Sequence, residues 1–174
     1  MAFKEADVLG IVYAPGYFLA HEECVRKTKQ IPAAGALTGA NGGKYVPMGK
    51  IWPSADANAV GIVYEDVDVS AGDMPGSVVM SGVVYEERLY DAADSYSSAT
   101  VPSGGNPKQL GLYERSGSSP NYVYTLTTDT EAAAGKTYYS YDGKVIPSAA
   151  KTALQGKGFT FVTVPSVTRP ANGT

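Results

Sequence analysis

The residues of this sequence that most readily suggest chemistry are one histidine and one cysteine, three positions apart. His21 and Cys24 are the only residues of their types and stand together in the segment HEEC. A zinc-protease helix requires a second histidine where Val25 stands, and two ligands do not complete a zinc tetrahedron. A cysteine nucleophile requires an electropositive setting, which Glu22 and Glu23 oppose. We predict no catalytic residue and no metal site here.

Carboxylates recur along residues 65–73, EDVDVSAGD. Their spacing approaches that of a calcium-binding loop, but Ala71 takes the position of the required glycine and Ser77 that of the bidentate glutamate. An irregular calcium or magnesium site remains the alternative to carboxylates on a solvated strand face. That alternative would use Glu65, Asp66, Asp68 and Asp73.

Two further motifs of catalysis or cofactor binding are incomplete. Gly135-Lys136-Thr137 matches the end of a phosphate-binding loop, but Thr130 replaces its first glycine. The serine nucleophile elbow G-x-S-x-G does not occur in the sequence. We therefore predict a protein that is not an enzyme and that holds no cofactor.

Tyrosine is unusually frequent, with 13 copies in 174 residues. Aromatic rings on one face of a strand can stack on sugars or enter a protein interface. Cross-strand packing is the simpler interpretation, and glycan binding is the alternative. The tyrosines concerned include Tyr122, Tyr124, Tyr138, Tyr139 and Tyr141.

Composition limits the partners of the chain. A net charge of −3 and a pI near 5.1 create no general attraction for nucleic acid or for an anionic membrane. Between Ala55 and Asp94 nine residues are acidic and only Arg88 is basic, so that stretch could face a basic partner. The start of the sequence lacks a basic region of the signal-peptide type, and a single cysteine excludes an internal disulfide. These features predict a product of a reducing cytoplasm.

The elements predicted from local patterns are mostly strands. Gly and Pro separate short β-branched runs, which predicts a mainly β (α+β) fold, barrel-like or sandwich-like. Residues 1–30 are interpreted as an extended N-terminal arm, and residues 31–174 as one β-rich domain with a peripheral insertion at about 91–145. Asp142-Gly143 predicts a hairpin turn inside the insertion. Pro147 and Gly156 or Gly158 bound a predicted short helix, which the strand FTFVTV follows.

Several stretches, taken in order, resemble the lambda-type head decoration proteins of tailed phages. They are GKYVP (43–47), AVGIVYEDVDV (59–69), VVMSGVV (78–84) and IPSAAKTALQGKGFTFV (146–162). The region from Asp91 to Val145 departs from that family. The resemblance implies a small β-barrel-like domain that assembles as a homotrimer on the capsid, with an arm that orders against the major capsid protein.

The function expected from this resemblance is decoration and stabilisation of the outer capsid surface, after synthesis in the cytoplasm of the bacterial host. The alternative is a head fibre or a tail-associated adhesin that binds host surface glycans. No nucleic acid and no membrane are expected as partners. The candidate capsid contacts are Val8, Ile11, Tyr13, Tyr17, Phe18, Tyr45 and Trp52.

Overall fold

The computed structural model describes residues 14–40 and 42–164. The chain divides into two compact units: unit 1 runs to Ala92 and resumes at Ile146, and unit 2 is Ala93–Val145. The strands are β1 (Leu19–Ile31), β2 (Leu37–Thr38), β3 (Lys44–Val46), β4 (Ile51–Trp52), β5 (Gly61–Val63), β6 (Val67–Asp68), β7 (Met74–Tyr85), β8 (Ala93–Ala99), β9 (Tyr113–Ser118), β10 (Asn121–Leu126), β11 (Tyr138–Val145) and β12 (Phe159–Val162). One helix, α1 (Ser148–Gln155), precedes β12. The predicted mainly β fold with one short helix near the C-terminus is confirmed.

Unit 1 is built around β7, its longest strand after β1. The main sheet has the order β1-β7-β5-β4, with β12 added to β7 in parallel and the other pairs antiparallel. A second sheet, β2-β3-β6, is also antiparallel. Adjacent residues of β7, Val78 and Val79, are both fully buried, which shows that apolar groups cover both faces of this strand.

Two apolar clusters cover those two faces. The first joins the main sheet to α1, and Val79, Phe18 and Leu154 are among its members. The second joins the main sheet to the small sheet through Val78 and Val46, as in a sandwich of two sheets. Gly61 lies where these layers are tightest: a Cβ there would be 2.5 Å from the carbonyl oxygen of Val79.

The predicted arm differs from the structure over its second half. Residues 19–30, assigned to the arm from sequence, belong to β1 and pair with β7 in the main sheet. Most side chains of β1 are exposed, so its sequence lacks the apolar alternation that would have marked a strand. Hydrogen bonds of the backbone hold an edge strand of this kind in place. The first half of the predicted arm, up to residue 13, lies outside the described residues.

The predicted elements of β7 and the C-terminal region agree with the structure. Gly82 has φ +154° and lies opposite Cys24 in the sheet, and a Cβ added at Gly82 would be 3.1 Å from the Cβ of Cys24. The helix follows Pro147 and is capped by Gly156, and β12 begins shortly after it. The three residues 156–158 join α1 to β12, which pairs with β7.

Unit 2 is a four-stranded antiparallel sheet with the order β10-β9-β11-β8. Its first and last residues, Ala93 and Val145, are paired opposite each other, so the chain enters and leaves unit 2 on neighbouring strands. This arrangement allows a compact unit to stand within a loop of another. The insertion predicted at about 91–145 and unit 2 cover nearly the same residues.

The hairpin turn predicted at Asp142-Gly143 is wrong. β11 continues through both residues, and the register shifts there as in a β-bulge, with Gly143 at φ +96°. The dipeptide suits either structure, because glycine adopts positive φ in a turn or in a bulge. The hairpin of unit 2 joins β9 to β10 through Ser119 and Pro120 instead.

Among the described residues, no helix has the length and apolar character needed to cross a membrane.

Candidate interaction surfaces

The N-terminal segment joins unit 1 through a set of defined contacts. The backbone N–H of Gly16 donates to the carbonyl of Tyr64 at 2.9 Å, and the N–H of Tyr85 donates to the carbonyl of Phe18 at 2.8 Å. Arg88 donates from Nη1 to the carbonyl of Tyr17 at 3.0 Å, and its guanidinium lies over the rings of Tyr17 and Tyr85. We call residues 14–18 the arm root, because these contacts fix where the preceding residues attach.

The candidate contacts of the N-terminal region fall into three groups. Val8, Ile11 and Tyr13 lie outside the described residues. Tyr17 is 38% exposed and remains a surface residue. Phe18 is fully buried in the first cluster of unit 1, so its predicted role as a capsid contact is wrong: its side chain has no surface to offer a partner.

The other two candidates are half-buried and belong to different parts of unit 1. Tyr45 lies on β3, and its pKa is raised by partial burial and by the charge of Asp66. Trp52 packs against the second cluster, and its indole N–H donates to the carbonyl of Gln30 at 3.3 Å. The ammonium group of Lys29 lies 5.6 Å from the Trp52 ring. Trp52, a candidate capsid contact from sequence, therefore combines a core contact with a partly open face.

The carboxylates of residues 65–73 hold loops in place. Asp66 accepts a hydrogen bond from the N–H of Met48 at 2.7 Å, and Asp73 accepts one from the N–H of Ala33 at 2.8 Å. Asp68 accepts from both the N–H and the hydroxyl of Ser70. In the described part of the chain, no three His, Cys, Asp or Glu side chains gather as metal ligands would. These oxygens serve as acceptors for the backbone.

His21 and Cys24 border a surface cleft of about 450 Å³ next to the arm root. His21 is exposed and Cys24 is half-buried, and Arg26 and Tyr64 form another part of the lining. The guanidinium of Arg26 stacks over the Tyr64 ring at 4.3 Å. The cleft is therefore part of the surface around the arm root, and the cation–π pair of Arg26 and Tyr64 is the defined contact in its lining.

In unit 2 the strand register gathers tyrosines on one face of the sheet. Tyr141 lies opposite Tyr96, and Tyr139 lies opposite Tyr113, so these four side chains share a face. On the hairpin, Tyr124 lies opposite Arg115 and Tyr122 opposite Gly117. We call this surface the tyrosine face. Its members are Tyr96, Tyr113, Arg115, Tyr122, Tyr124, Tyr139 and Tyr141.

The rings of the tyrosine face pack against one another. Tyr96 and Tyr124 are stacked, with ring centroids 4.0 Å apart and an angle of 6° between planes. Tyr113 meets Tyr96 edge to face at 5.1 Å, and Tyr139 meets Tyr124 in the same way at 5.3 Å. Such offset and edge-to-face pairs favour one arrangement of the rings over others. The face is thus a packed aromatic layer.

Polar groups border this aromatic layer. The phenol of Tyr141 donates to Asp94 at 3.0 Å, and the guanidinium of Arg115 lies 4.3 Å from the ring of Tyr122. Loss of water around the Tyr96 ring, followed by the charge of Asp94, raises the pKa of the Tyr96 phenol. The phenol therefore stays protonated at neutral pH and keeps its capacity to donate a hydrogen bond.

The opposite face of the same sheet carries a charged network. Lys136 forms ion pairs with Asp129 at 2.7 Å and with Glu114 at 2.9 Å. The hydroxyl of Thr127 donates to Glu114, and that of Tyr138 donates to Asp129 at 2.6 Å. The ammonium group of Lys136 and the Tyr138 hydroxyl hold the pKa of Asp129 below its usual value. This network ties residues 127–138 to the sheet.

Sequence reasoning identified the tyrosines of residues 122–141 but not their arrangement. It grouped Tyr138 with Tyr139, although neighbouring strand residues point to opposite faces and Tyr138 joins the charged network. It also passed over Tyr96 and Tyr113, which lie on other strands. The alternation of side chains along each strand was a usable signal in the sequence. The register between strands was also needed to place Tyr96, Tyr113, Tyr139 and Tyr141 on one face.

Comparison with known proteins gave no relative of this chain: no family model, no curated protein and no solved structure matches it.

Proposed function

We propose that this protein is a virion component that decorates and stabilises the outer surface of a tailed-phage capsid by binding the major capsid protein. It acts as a homotrimer, made in the cytoplasm of the bacterial host, and carries out no catalysis. The observation that carries the proposal is the distribution of the resembling stretches. GKYVP, AVGIVYEDVDV, VVMSGVV and IPSAAKTALQGKGFTFV all lie in unit 1, whereas the departing region and unit 2 cover nearly the same residues.

That distribution supports the proposal because the four stretches also share contacts. Residues 43–47 supply β3, residues 59–69 supply β5 and β6, and residues 78–84 form most of β7. The last stretch supplies α1 and β12, and β12 pairs with β7. Segments distant in sequence that resemble one family therefore belong to one packed unit, as expected if that unit carries the family's function.

The arm root supports the proposed mode of attachment. A capsid-binding arm needs a firm origin, because a segment that gains its order on the partner must be joined to a folded part of the domain. Phe18 is buried in the core of unit 1, and Arg88 holds the adjacent carbonyl. Each copy that bridges neighbouring capsid subunits would add buried area at the junction and so stabilise the shell.

The proposal is tested by co-sedimentation with expanded capsid shells that lack this protein. The full chain is compared with a chain beginning at Ala14, which removes the arm but keeps the root. A start at Ile31 would be a poor choice, because it would delete β1 from the main sheet. Saturable binding of the full chain, lost on removal of residues 1–13, is the expected result.

A matched control removes unit 2 instead of the arm. Because Ala93 and Val145 are paired opposite each other, a short glycine link can join Ala92 to Ile146 across the roughly 5 Å between such strands. This shortened chain is expected to bind shells as the full chain does. Failure of the full chain to bind expanded shells would overturn the proposal and leave a fibre or tail component as the alternative.

The trimer is tested separately by sedimentation equilibrium of the free protein and by the copy number on saturated shells. A mass of three times 18.2 kDa and occupancy in multiples of three are expected. A monomer both in solution and on the shell would contradict the homotrimer while leaving capsid binding intact.

A further inference from the structure

We infer that the outer edge of β1 pairs with the same edge of a second copy of this chain, antiparallel and about a two-fold axis near Val25. The pairing joins the main sheets of the two copies into one continuous sheet. This inference goes beyond capsid decoration and does not depend on it, because the contact is one that the free protein can make with itself.

The outer edge of β1 is open to another strand. β1 ends the main sheet, with β7 on one side and no strand of the described residues on the other. Residues 20–23 have no partner on β7, because the register passes from Leu19 to Cys24 over only two residues of β7. An edge strand carries unpaired backbone N–H and C=O groups that can pair with a further strand. β1 therefore offers a backbone template along its length.

The order of charges along β1 selects the partner. Glu22 and Glu23 make its first half acidic, and Arg26 and Lys27 make its second half basic. Val25 lies between the two halves and is 51% exposed. When two copies of such a strand run in opposite directions, each acidic half faces a basic half. Two copies in parallel would place like charges opposite each other, so the charge order favours an antiparallel copy.

A register centred on Val25 places Glu23 of each copy opposite Lys27 of the other. The two-fold symmetry makes this contact occur twice. Both side chains are exposed, and within the described part of the chain neither forms an ion pair in its own copy. The guanidinium of the neighbouring Arg26 already stacks on the Tyr64 ring. Lys27 is therefore the cation of this half that a second copy can engage.

These charges also make the pairing specific. Charged side chains on an edge strand normally oppose pairing with other chains. Opposite charges that face each other across two strands favour the pair, whereas like charges weaken it. The edge of β1 therefore accepts one partner in one orientation and disfavours others.

The size of the contact indicates a weak association. At about 3.3 Å per residue the 13 residues of β1 span about 43 Å, and a strip about 10 Å thick has an area of about 430 Å². A stable interface needs about 800 Å² from each partner. An isolated pair is therefore weak, and the contact becomes effective where many copies are held close together. A covalent trap suits the detection of such a pair.

The test is disulfide trapping in the free, full-length protein, with Cys24→Ala to remove the native thiol. Val25→Cys places two thiols opposite each other on the proposed axis, and mild oxidation should give a covalent dimer. Thr28→Cys is the matched control, because it is exposed on the same strand. Two copies of residue 28 would be about 20 Å apart in this register, whereas a disulfide requires Cα atoms within about 7 Å. This control should stay monomeric under denaturing conditions.

Charge reversal then tests the register in the chain that carries Val25→Cys and Cys24→Ala. Glu23→Lys faces a lysine with Lys27, and Lys27→Glu faces a glutamate with Glu23, so each alone should reduce the yield of cross-linked dimer about tenfold. An equal mixture of the two variants should restore it, because one copy then carries two lysines and the other two glutamates.

Three results would each overturn the inference. They are no cross-link through residue 25, equal cross-linking through residues 25 and 28, and a mixture of the charge variants that is no better than either variant alone. The urea midpoint of every variant is measured through Trp52 fluorescence, so that only folded proteins are compared. Because the assay needs no capsid, its outcome is independent of shell binding.

Discussion

Replacement of Phe18 by alanine separates two interpretations of the N-terminal region. Sequence reasoning placed Phe18 among the capsid contacts, which would leave the stability of the free protein unchanged by the substitution. In the structure its side chain is 0% exposed and packs in the first cluster of unit 1. Removal of the ring therefore leaves a cavity beneath the arm root, and the free protein should be measurably less stable.

The size of the effect follows from the burial. Phe→Ala in a packed core costs about 3–5 kcal/mol, from lost transfer free energy and from the cavity that remains. With a urea dependence of about 2 kcal/mol per molar, a loss of about 4 kcal/mol lowers the unfolding midpoint by about 2 M. Domains are typically stable by about 5–15 kcal/mol, so this single change removes a large part of the total.

Equilibrium urea unfolding measures this shift through the fluorescence of Trp52. Trp52 is the only tryptophan and lies in unit 1, so its signal reports on that unit. Tyr17→Ala is the control: its exposed ring stacks on Arg88, a contact of about 0.5–1 kcal/mol, and the midpoint should fall by less than about 0.5 M. The same small shift in Phe18→Ala would refute the placement of this ring in the core.

Three further predictions concern packing, a partly buried ion pair and pH. Gly61→Ala places a Cβ 2.5 Å from a backbone oxygen and should cost about 1–3 kcal/mol in the same urea assay. Gly156→Ala, at φ −62°, should change stability by less than about 0.5 kcal/mol, and equal effects would contradict the close packing. Glu86→Ala removes the acceptor for the buried N–H of Ile146 and for the ammonium group of Lys151. It should lower the free energy of unfolding by about 1–3 kcal/mol. An unchanged urea midpoint would show that neither contact contributes to stability. The pKa of Asp129 is lowered in the folded state, so its contribution to stability is present above its unfolded value and is lost as pH falls through the folded one. Amide exchange protection across residues 127–138 should therefore fall as the pH drops below about 4, the value for an unperturbed aspartate. This fall should be smaller in Lys136→Met, which removes the main cause of the lowered pKa. An identical pH profile in the two proteins would exclude the ion pair as its source.

The sequence was most informative where the signal is local. Pro147 and Gly156 bound α1 because each favours a backbone conformation found at a helix end, whatever the rest of the chain does. The β-branched run of β7 was recognisable as a strand for the same reason. Position 142–143 shows the limit of local signals, since Asp-Gly fits a hairpin turn and a bulge equally well. Only the continuation of β11 along β8 decides between them.

The candidate surfaces depended more heavily on contacts that no local pattern records. Phe18 and Tyr17 are adjacent aromatic residues of similar type, yet one is core and the other is exposed, because the chain turns against Tyr64 and Arg88. β1 could not be recognised from side chains, since backbone hydrogen bonds to β7 hold an edge strand whatever its side chains are. A deletion that tests the arm therefore begins at Ala14, so that β1 stays in the main sheet.

The amino-acid sequence by itself determined a mainly β protein with one short C-terminal helix, a region near 91–145 that differs in character, and a supply of tyrosines in that region. Tertiary structure decided which of those tyrosines act together. Parity along a strand places Tyr139 and Tyr141 on one face, but the pairing of strands brings Tyr96, Tyr113 and Tyr124 beside them. Register is set by the whole sheet, and a shift of one residue would turn these rings to the opposite face.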